Sequence, residues 1–386
     1  MNPGLEEPLA ARSARLLDDL ARHRYAVLAL LTVVLWVGTG AAVGWQGRDW
    51  SYFLTGAHAL TGRVGLHVYA RMPDLQFGPP ALLVAVVFRD AGPGHGWALV
   101  SAICMLLGVV TIRLLERTAV ELVGRAHRVE TLVLLGGPFF LMTWTLPAVS
   151  QGHPDDVLAL LAIAGAMRAV VSQRWLLAAA LVGCAAAAKP WALMVLPLAL
   201  AVRGTRVRAL LVTIAVALVS WVPYFLGDAE TRRVGDFHLR VEQTSTLHYL
   251  GFGVGAAPAW PREAQLVVAL LLGAVSVLRG RWLLVPFVAF AVRINVDPSV
   301  VYYYAAGPVL GAFAWDLVVP VRGLPVRTIG AWLGLLAFPT AVLGGGTGDP
   351  VSHALIAAVR VAVLAAAVWG VAAPVRPGPG TLRSAP

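Results

Sequence analysis

The residues best suited to chemistry in this sequence are Asp49, the run from Ser150 to Asp156 (SQGHPDD), Lys189, and Arg293 with Asn295 and Asp297. Asp49 sits in GRDWSYFL, where its carboxylate can accept a proton from a hydroxyl; the same residue before Trp50 also reads as an N-cap. Lys189 is the sole lysine among 30 basic residues and lies in AAAAKPWALM between two apolar runs. A compact ammonium there suits a phosphate leaving group, although a boundary lysine before Pro190 equally marks the next helix start. In SQGHPDD, His153, Asp155 and Asp156 suit acceptor or sugar contacts, while Pro154 followed by two aspartates also makes an ordinary helix start. The segment aims too few ligands at one point for a metal site, and none is assigned. Arg293 is a second candidate for the donor phosphate. Gln243 and His248 in DFHLRVEQTSTLHYLGF, and Tyr303 in RINVDPSVVYYY, are candidates for acceptor or sugar contacts; the three tyrosines from Tyr302 to Tyr304 also suit an interfacial belt.

The elements that position these residues must be membrane helices. The chain is 59% hydrophobic and 13% charged with a mean hydropathy of +0.76, which excludes a soluble fold. Its formal charge of +10 sits in short arginine clusters between apolar runs, as the positive-inside rule places them and not as a nucleic-acid surface would. Cys104 and Cys184 lie inside apolar runs without metal-type spacing or a disulfide pattern. Alternating, barrel-like strands are absent from the pattern, so the expected fold class is an all-α integral membrane protein.

The first apolar run, 25–45, follows Arg12, Arg15, Arg22 and Arg24 and reads as an uncleaved first span behind a cytoplasmic segment 1–24. Pro80–Phe88 and Trp97–Leu115, separated by RDAGPGHG, read as one broken span. Further spans fall near 129–146, 155–172, 175–188, 190–202, 209–227, 263–278, 282–292, 299–319, 328–344 and 351–373. About twelve spans across 25–373 then keep every arginine cluster and both termini on the cytoplasmic side. Outer loops are expected at about 46–79, 147–154, 228–262, 293–298 and 345–350, and 374–386 reads as a disordered cytoplasmic tail. Spans 175–188, 190–202 and 282–292 are short, as for helices tilted around a cavity or partly inserted. Asp49, Asp155, Asp156, Lys189, Asp236, His238, Glu242, Arg293 and Asp297 converge on the outer face, where intramembrane charge marks a functional pocket.

With these segments in this order, the chain resembles the GT-C superfamily of polyprenyl-phosphate-sugar-dependent glycosyltransferases. The resemblance is strongest to glycosyltransferase family 87, the mannosyltransferase-like group of actinobacterial envelopes. Four stretches carry it: Asp49 through Gly65–Tyr69 to QFGPP; SQGHPDDVLALLAIAGAMRA running into AAAAKPWALMVLPLAL; EQTSTL at Glu242–Leu247; and the Asp297-Pro298 helix start with its tyrosines. The family often has tyrosine before the proline pair, where this chain has Gly78.

The resemblance implies a hexosyltransferase of the cell inner (plasma) membrane, with its active site outside. It implies a polyprenyl-phosphate sugar donor, mannose in the family, and a lipid or glycan acceptor among membrane lipids, with no nucleic acid and no cofactor. It carries the general base onto Asp49 and the donor-phosphate contact onto Lys189. The reaction is then direct displacement with inversion, the phosphate leaving toward Lys189 or Arg293. A secondary transporter or lipid flippase is the alternative, and it would place charges near mid-span and break its helices in pairs.

Overall fold

The computed structural model describes residues 9–202, 204–236, 239–343 and 349–374. His238, Arg203 and most of the expected tail lie outside them. The fold is an all-α membrane protein. Among the described residues, six helices are long and apolar enough to cross a bilayer: Arg24–Val43, Gly94–Val123, Ala126–Ser150, Pro261–Leu278, Val326–Leu343 and Pro350–Ala372. Trp175–Ala188, Pro190–Ala201 and Trp282–Val296 are apolar but shorter.

Within RDAGPGHG, residues 89–92 separate a ten-residue helix, Pro79–Phe88, from a 31-residue helix whose first turn is formed by 93–96, with proline at its start where it costs no hydrogen bond. Ten residues rise only about 15 Å, short of a bilayer's hydrocarbon, whereas Gly94–Val123 is long and apolar enough to cross it. Pro190–Ala201 winds as a 3₁₀ helix containing Pro197; at about 2.0 Å per residue it reaches farther than an α-helix of the same length.

Bulky aromatics and small residues interlock the bundle. In the Trp50–Thr61 helix, Trp50, Phe53, Leu54 and Ala57 recur at helical spacing and form its buried face. Trp50 lies 5.2 Å from Trp97, and Phe53 stacks on Phe77 at 3.9 Å. Buried indole N–H groups donate to backbone carbonyls, Trp97 to Val149 (3.0 Å) and Trp144 to Cys104 (2.9 Å). At Gly311 a Cβ would sit 2.4 Å from the Cα of Phe287, so this crossing requires glycine.

Two ends of the bundle can be told apart by their side chains. At one end Arg24 binds Glu116 (2.6 Å) and Glu130 (3.2 Å), and Arg168 pairs with Glu121. Asp49 follows the far end of the helix that Arg24 begins, and His153 precedes the helix that Arg168 ends. The Asp49–His153 region therefore lies at the other end. Elsewhere, Arg279 donates to the carbonyls of Val371 (2.8 Å) and Ala372 (2.9 Å), closing the C-terminus of the Pro350–Ala372 helix with positive charge.

Candidate active site

The Ala126–Thr145 helix ends in a π-turn, Leu146–Ser150, and the chain then passes through Gly152 into the Pro154–Val171 helix. That passage docks against the segment before Trp50: Arg48 N–H donates to Ser150 (3.2 Å) and Asp49 N–H to Gln151 (2.7 Å). Gly152 has φ +82°, and a Cβ there would meet the Trp50 nitrogen at 2.9 Å. The tight docking brings Asp49 and His153 together although they are 104 positions apart, with Oδ2 and Nε2 at 2.9 Å.

Asp49 occupies the N-cap position of the Trp50–Thr61 helix, but its side chain makes no capping hydrogen bond. The carboxylate is turned to His153. Behind the histidine, Nδ1 is 3.3 Å from Asp155 Oδ1 and 3.7 Å from Asp156 Oδ2. Both aspartates are buried in the first turn of the Pro154–Val171 helix, so this helix start also faces the site. Burial alone would push the imidazolium down, but the carboxylates of Asp155 and Asp49 outweigh it and hold His153 above the ordinary histidine value.

Lys189 follows the Trp175–Ala188 helix and is buried. Its ammonium is ion-paired with Asp155 and lies 3.3 Å from Asp156 Oδ2. His153, Asp155 and Asp156 each offer a metal-ligand atom within 4.8 Å of one another. The ammonium already supplies positive charge to both carboxylates. Gly78 ties the loop before Pro79 to this point by donating its N–H to Ala188 (2.8 Å), and a Cβ on Gly78 would fall 1.6 Å from the Ala187 carbonyl oxygen. The backbone approach leaves no room for the tyrosine common at that place in the resembling family.

Arg293 is buried near the end of the Val285–Val296 helix, its guanidinium 3.7 Å from the ring centre of Tyr304 and 4.7 Å from that of Trp191. Its nearest carboxylate oxygens are on Asp156 (3.8 Å) and Asp297 (4.0 Å), and among the described residues its guanidinium donates no hydrogen bond. Burial pushes the Asp297 carboxyl up to about 6, against the lowering effect of Arg293.

These groups border a cavity of about 560 Å³. Asp49, His153, Lys189, Arg293 and Tyr303 line it; Asp155 and Asp156 stand one layer behind. Tyr303 and Tyr304 are buried around the cavity and only Tyr302 is exposed, so most of the expected tyrosine belt belongs to the site. Gln243 and His248 do not line it. The EQTSTL segment, which contains Gln243 and precedes His248, is a clamp: Glu242 N–H donates to Pro298 (3.0 Å), the Ser245 hydroxyl to the Asp297 carbonyl (2.8 Å), and the Ser299 hydroxyl to the Glu242 carboxylate (2.6 Å). The short antiparallel pair Arg240–Val241 with Gly255–Ala256 brings Leu239 and Ala257–Ala259 over the cavity. Asp74, Gln76, Trp191 and Arg262 also line it without having stood out in the sequence, because each is an ordinary residue of an apolar or loop segment.

No family model matches the chain, and no curated protein matches it. Among solved structures, the crystal structure of ArnT from Cupriavidus metallidurans bound to undecaprenyl phosphate is similar at 14% identity and a TM-score of 0.46, over 89% of this chain and 76% of that one.

Proposed function

We propose that the protein is a GT-C-type membrane glycosyltransferase. In this reading it moves a hexose, taken as mannose, from a polyprenyl-phosphate donor to a hydroxyl of a lipid or glycan acceptor. The observation that carries the reading is one large cavity bordered by both a carboxylate, Asp49, and a guanidinium that donates no hydrogen bond among the described residues, Arg293, supplied by different elements. A proton acceptor and a cation for a leaving phosphate are the two groups that direct displacement at an anomeric carbon requires. The acceptor oxygen bonds to the anomeric carbon as the bond to the donor phosphate oxygen breaks, giving inversion. The hydroxyl proton goes to Asp49, and the phosphate leaves as an anion toward Arg293.

The ion pairs of Lys189 assign it a supporting part in this scheme. Its charge is shared between Asp155 and Asp156, whereas Arg293 has its nearest carboxylates at 3.8 Å or more and keeps its N–H groups for phosphate oxygens. Trp191, Phe53 and Phe77 offer apolar rings to a sugar face, and Asp74, Gln76 and Arg262 offer polar groups to its hydroxyls. The cavity lies at the end of the bundle away from Arg24 and Arg168, which the positive-inside rule makes the extracytoplasmic end of a plasma-membrane protein with both termini inside.

The test is transfer in nanodiscs from radiolabelled polyprenyl-phosphate-mannose to native envelope lipids. Wild type is expected to transfer label, and Asp49→Asn to transfer at least about 100-fold less while still binding donor and unfolding near the wild-type temperature. Full activity in Asp49→Asn refutes the assigned base. Donor that crosses liposome membranes without transfer of its sugar replaces the enzyme reading with a flippase.

A further inference from the structure

Asp49 and His153 meet through two atoms that both carry lone pairs unless a proton lies between them, and they stand 2.9 Å apart. The other ring nitrogen meets a carboxylate as well, Asp155 Oδ1 at 3.3 Å. Facing lone pairs would repel at both contacts, so the arrangement is satisfied when the ring donates through both nitrogens. The ring is held on its faces too: it stacks on Tyr303 at 4.1 Å with 25° between planes and meets Phe53 edge-on at 6.1 Å. Asp155 cannot swing away, because it is fully buried and ion-paired with Lys189.

Resting on the glycosyltransfer reading, we propose that His153 is the positioning residue of the base: doubly protonated and anchored through Asp155 to Lys189, it fixes one oxygen of Asp49 and leaves the other for the acceptor hydroxyl. The chain Asp49–His153–Asp155–Lys189 thus draws on the loop before Trp50, the start of the Pro154–Val171 helix and the residue after Ala188. In the reaction His153 keeps both protons and transfers none. The hydroxyl proton moves to the free Asp49 oxygen while the carbon–oxygen bond to phosphate breaks. The sole lysine of the chain then has a defined task, which is to hold the carboxylate that holds the histidine. The groups facing His153 are Asp49, Asp155, Asp156, Lys189 and Tyr303, and the three carboxylates outnumber the one cation.

This assignment makes activity depend on the histidine's charge. Below its raised pKa both contacts persist; as pH rises through it, one carboxylate loses its donor. His153→Phe keeps a ring against Tyr303 but removes both donors, and His153→Gln keeps one donor toward Asp49 that does not titrate. In nanodiscs His153→Phe is expected to lower kcat about 10- to 100-fold with donor Kd unchanged, the effect of a misoriented base. His153→Gln should recover most of that loss and lack the alkaline fall that wild type shows. A wild-type kcat in His153→Phe, with Asp49→Asn inactive, overturns the positioning role while leaving the base intact; an active Asp49→Asn overturns the base reading itself. Independently of turnover, nitrogen-15 histidine spectra of the full chain, assigned by difference from His153→Gln, should show both ring nitrogens of His153 protonated at neutral pH. A neutral ring in one tautomer overturns the proposal.

Discussion

At the scale of single residues, Lys189 and Arg293 have opposite circumstances. Removing Lys189 leaves two buried carboxylates without their ammonium, a loss of about 3–5 kcal/mol when a buried pair is broken. Lys189→Ala is therefore expected to lower the unfolding temperature in nanodiscs more than Arg293→Gln does. Donor affinity should show the reverse order: Arg293→Gln removes a charge-assisted contact of about 1.5–3 kcal/mol and weakens donor binding roughly 10- to 100-fold. Equal stability losses with unchanged donor affinity in Arg293→Gln would return the phosphate to Lys189. Asp297 adds a pH dependence. Its carboxyl titrates near 6, above the ordinary carboxylate value, so the folded protein holds a proton there that the unfolded chain has lost. The stability this contributes is present at low pH and is lost as pH rises toward and through about 6. A donor phosphodiester keeps its single charge over this range. Lowering the pH from 7 to 5.5 should consequently tighten donor binding as Arg293 loses a competing anion, and calorimetric titration of Asp297→Asn should show a flat profile.

At the scale of elements, the site depends on backbone segments that touch without side chains between them. Gly78 approaches the Ala187 and Ala188 carbonyls so closely that any side chain must move the loop, and with it Phe77 on one side and Lys189 on the other. Gly78→Ala should cost about 1–3 kcal/mol, the range for overpacking, and reduce transfer with it. Gly94, whose Cβ would meet nothing within 4 Å, is the control, and Gly94→Ala should leave both stability and activity near wild type. Comparable thermal unfolding of the two variants would mean that the loop before Pro79 relaxes freely. The π-turn at Leu146–Ser150 serves the same end, since the extra residue in the turn delivers Gln151 and Gly152 against the Asp49 segment.

At the scale of the whole molecule, the bundle separates an end where arginine pairs with glutamate from an end that encloses the cavity. Single cysteines in a background lacking Cys104 and Cys184 should be labelled by an impermeant thiol reagent in intact cells when placed beside Asp49, His153 or Gln243. Those beside Arg125 or Arg206 should not react, and the opposite pattern would invert the assigned orientation.

The sequence by itself determined the solvent and the secondary structure. Bilayer hydrocarbon admits no unpaired backbone, so apolar runs at this density had to be helices. It also marked Asp49, His153, Lys189, Arg293 and Tyr303, because a charged or polar group beside an apolar run stands out by its cost. Which of these groups touch was decided only by the tertiary structure. Asp49 reads as a cap until a partner 104 residues away turns its carboxylate, and Lys189 reads as unpaired until a neighbouring helix brings two aspartates to it. Gln243 and His248 show the converse: hydrogen-bonding types in an outer loop look like a sugar surface, yet the Glu242–Leu247 segment binds backbone and side chains at Asp297–Ser299 instead. Local residue type records how costly a group is to bury; the partner that offsets this cost comes from a distant part of the chain, and only packing brings the two within hydrogen-bonding reach.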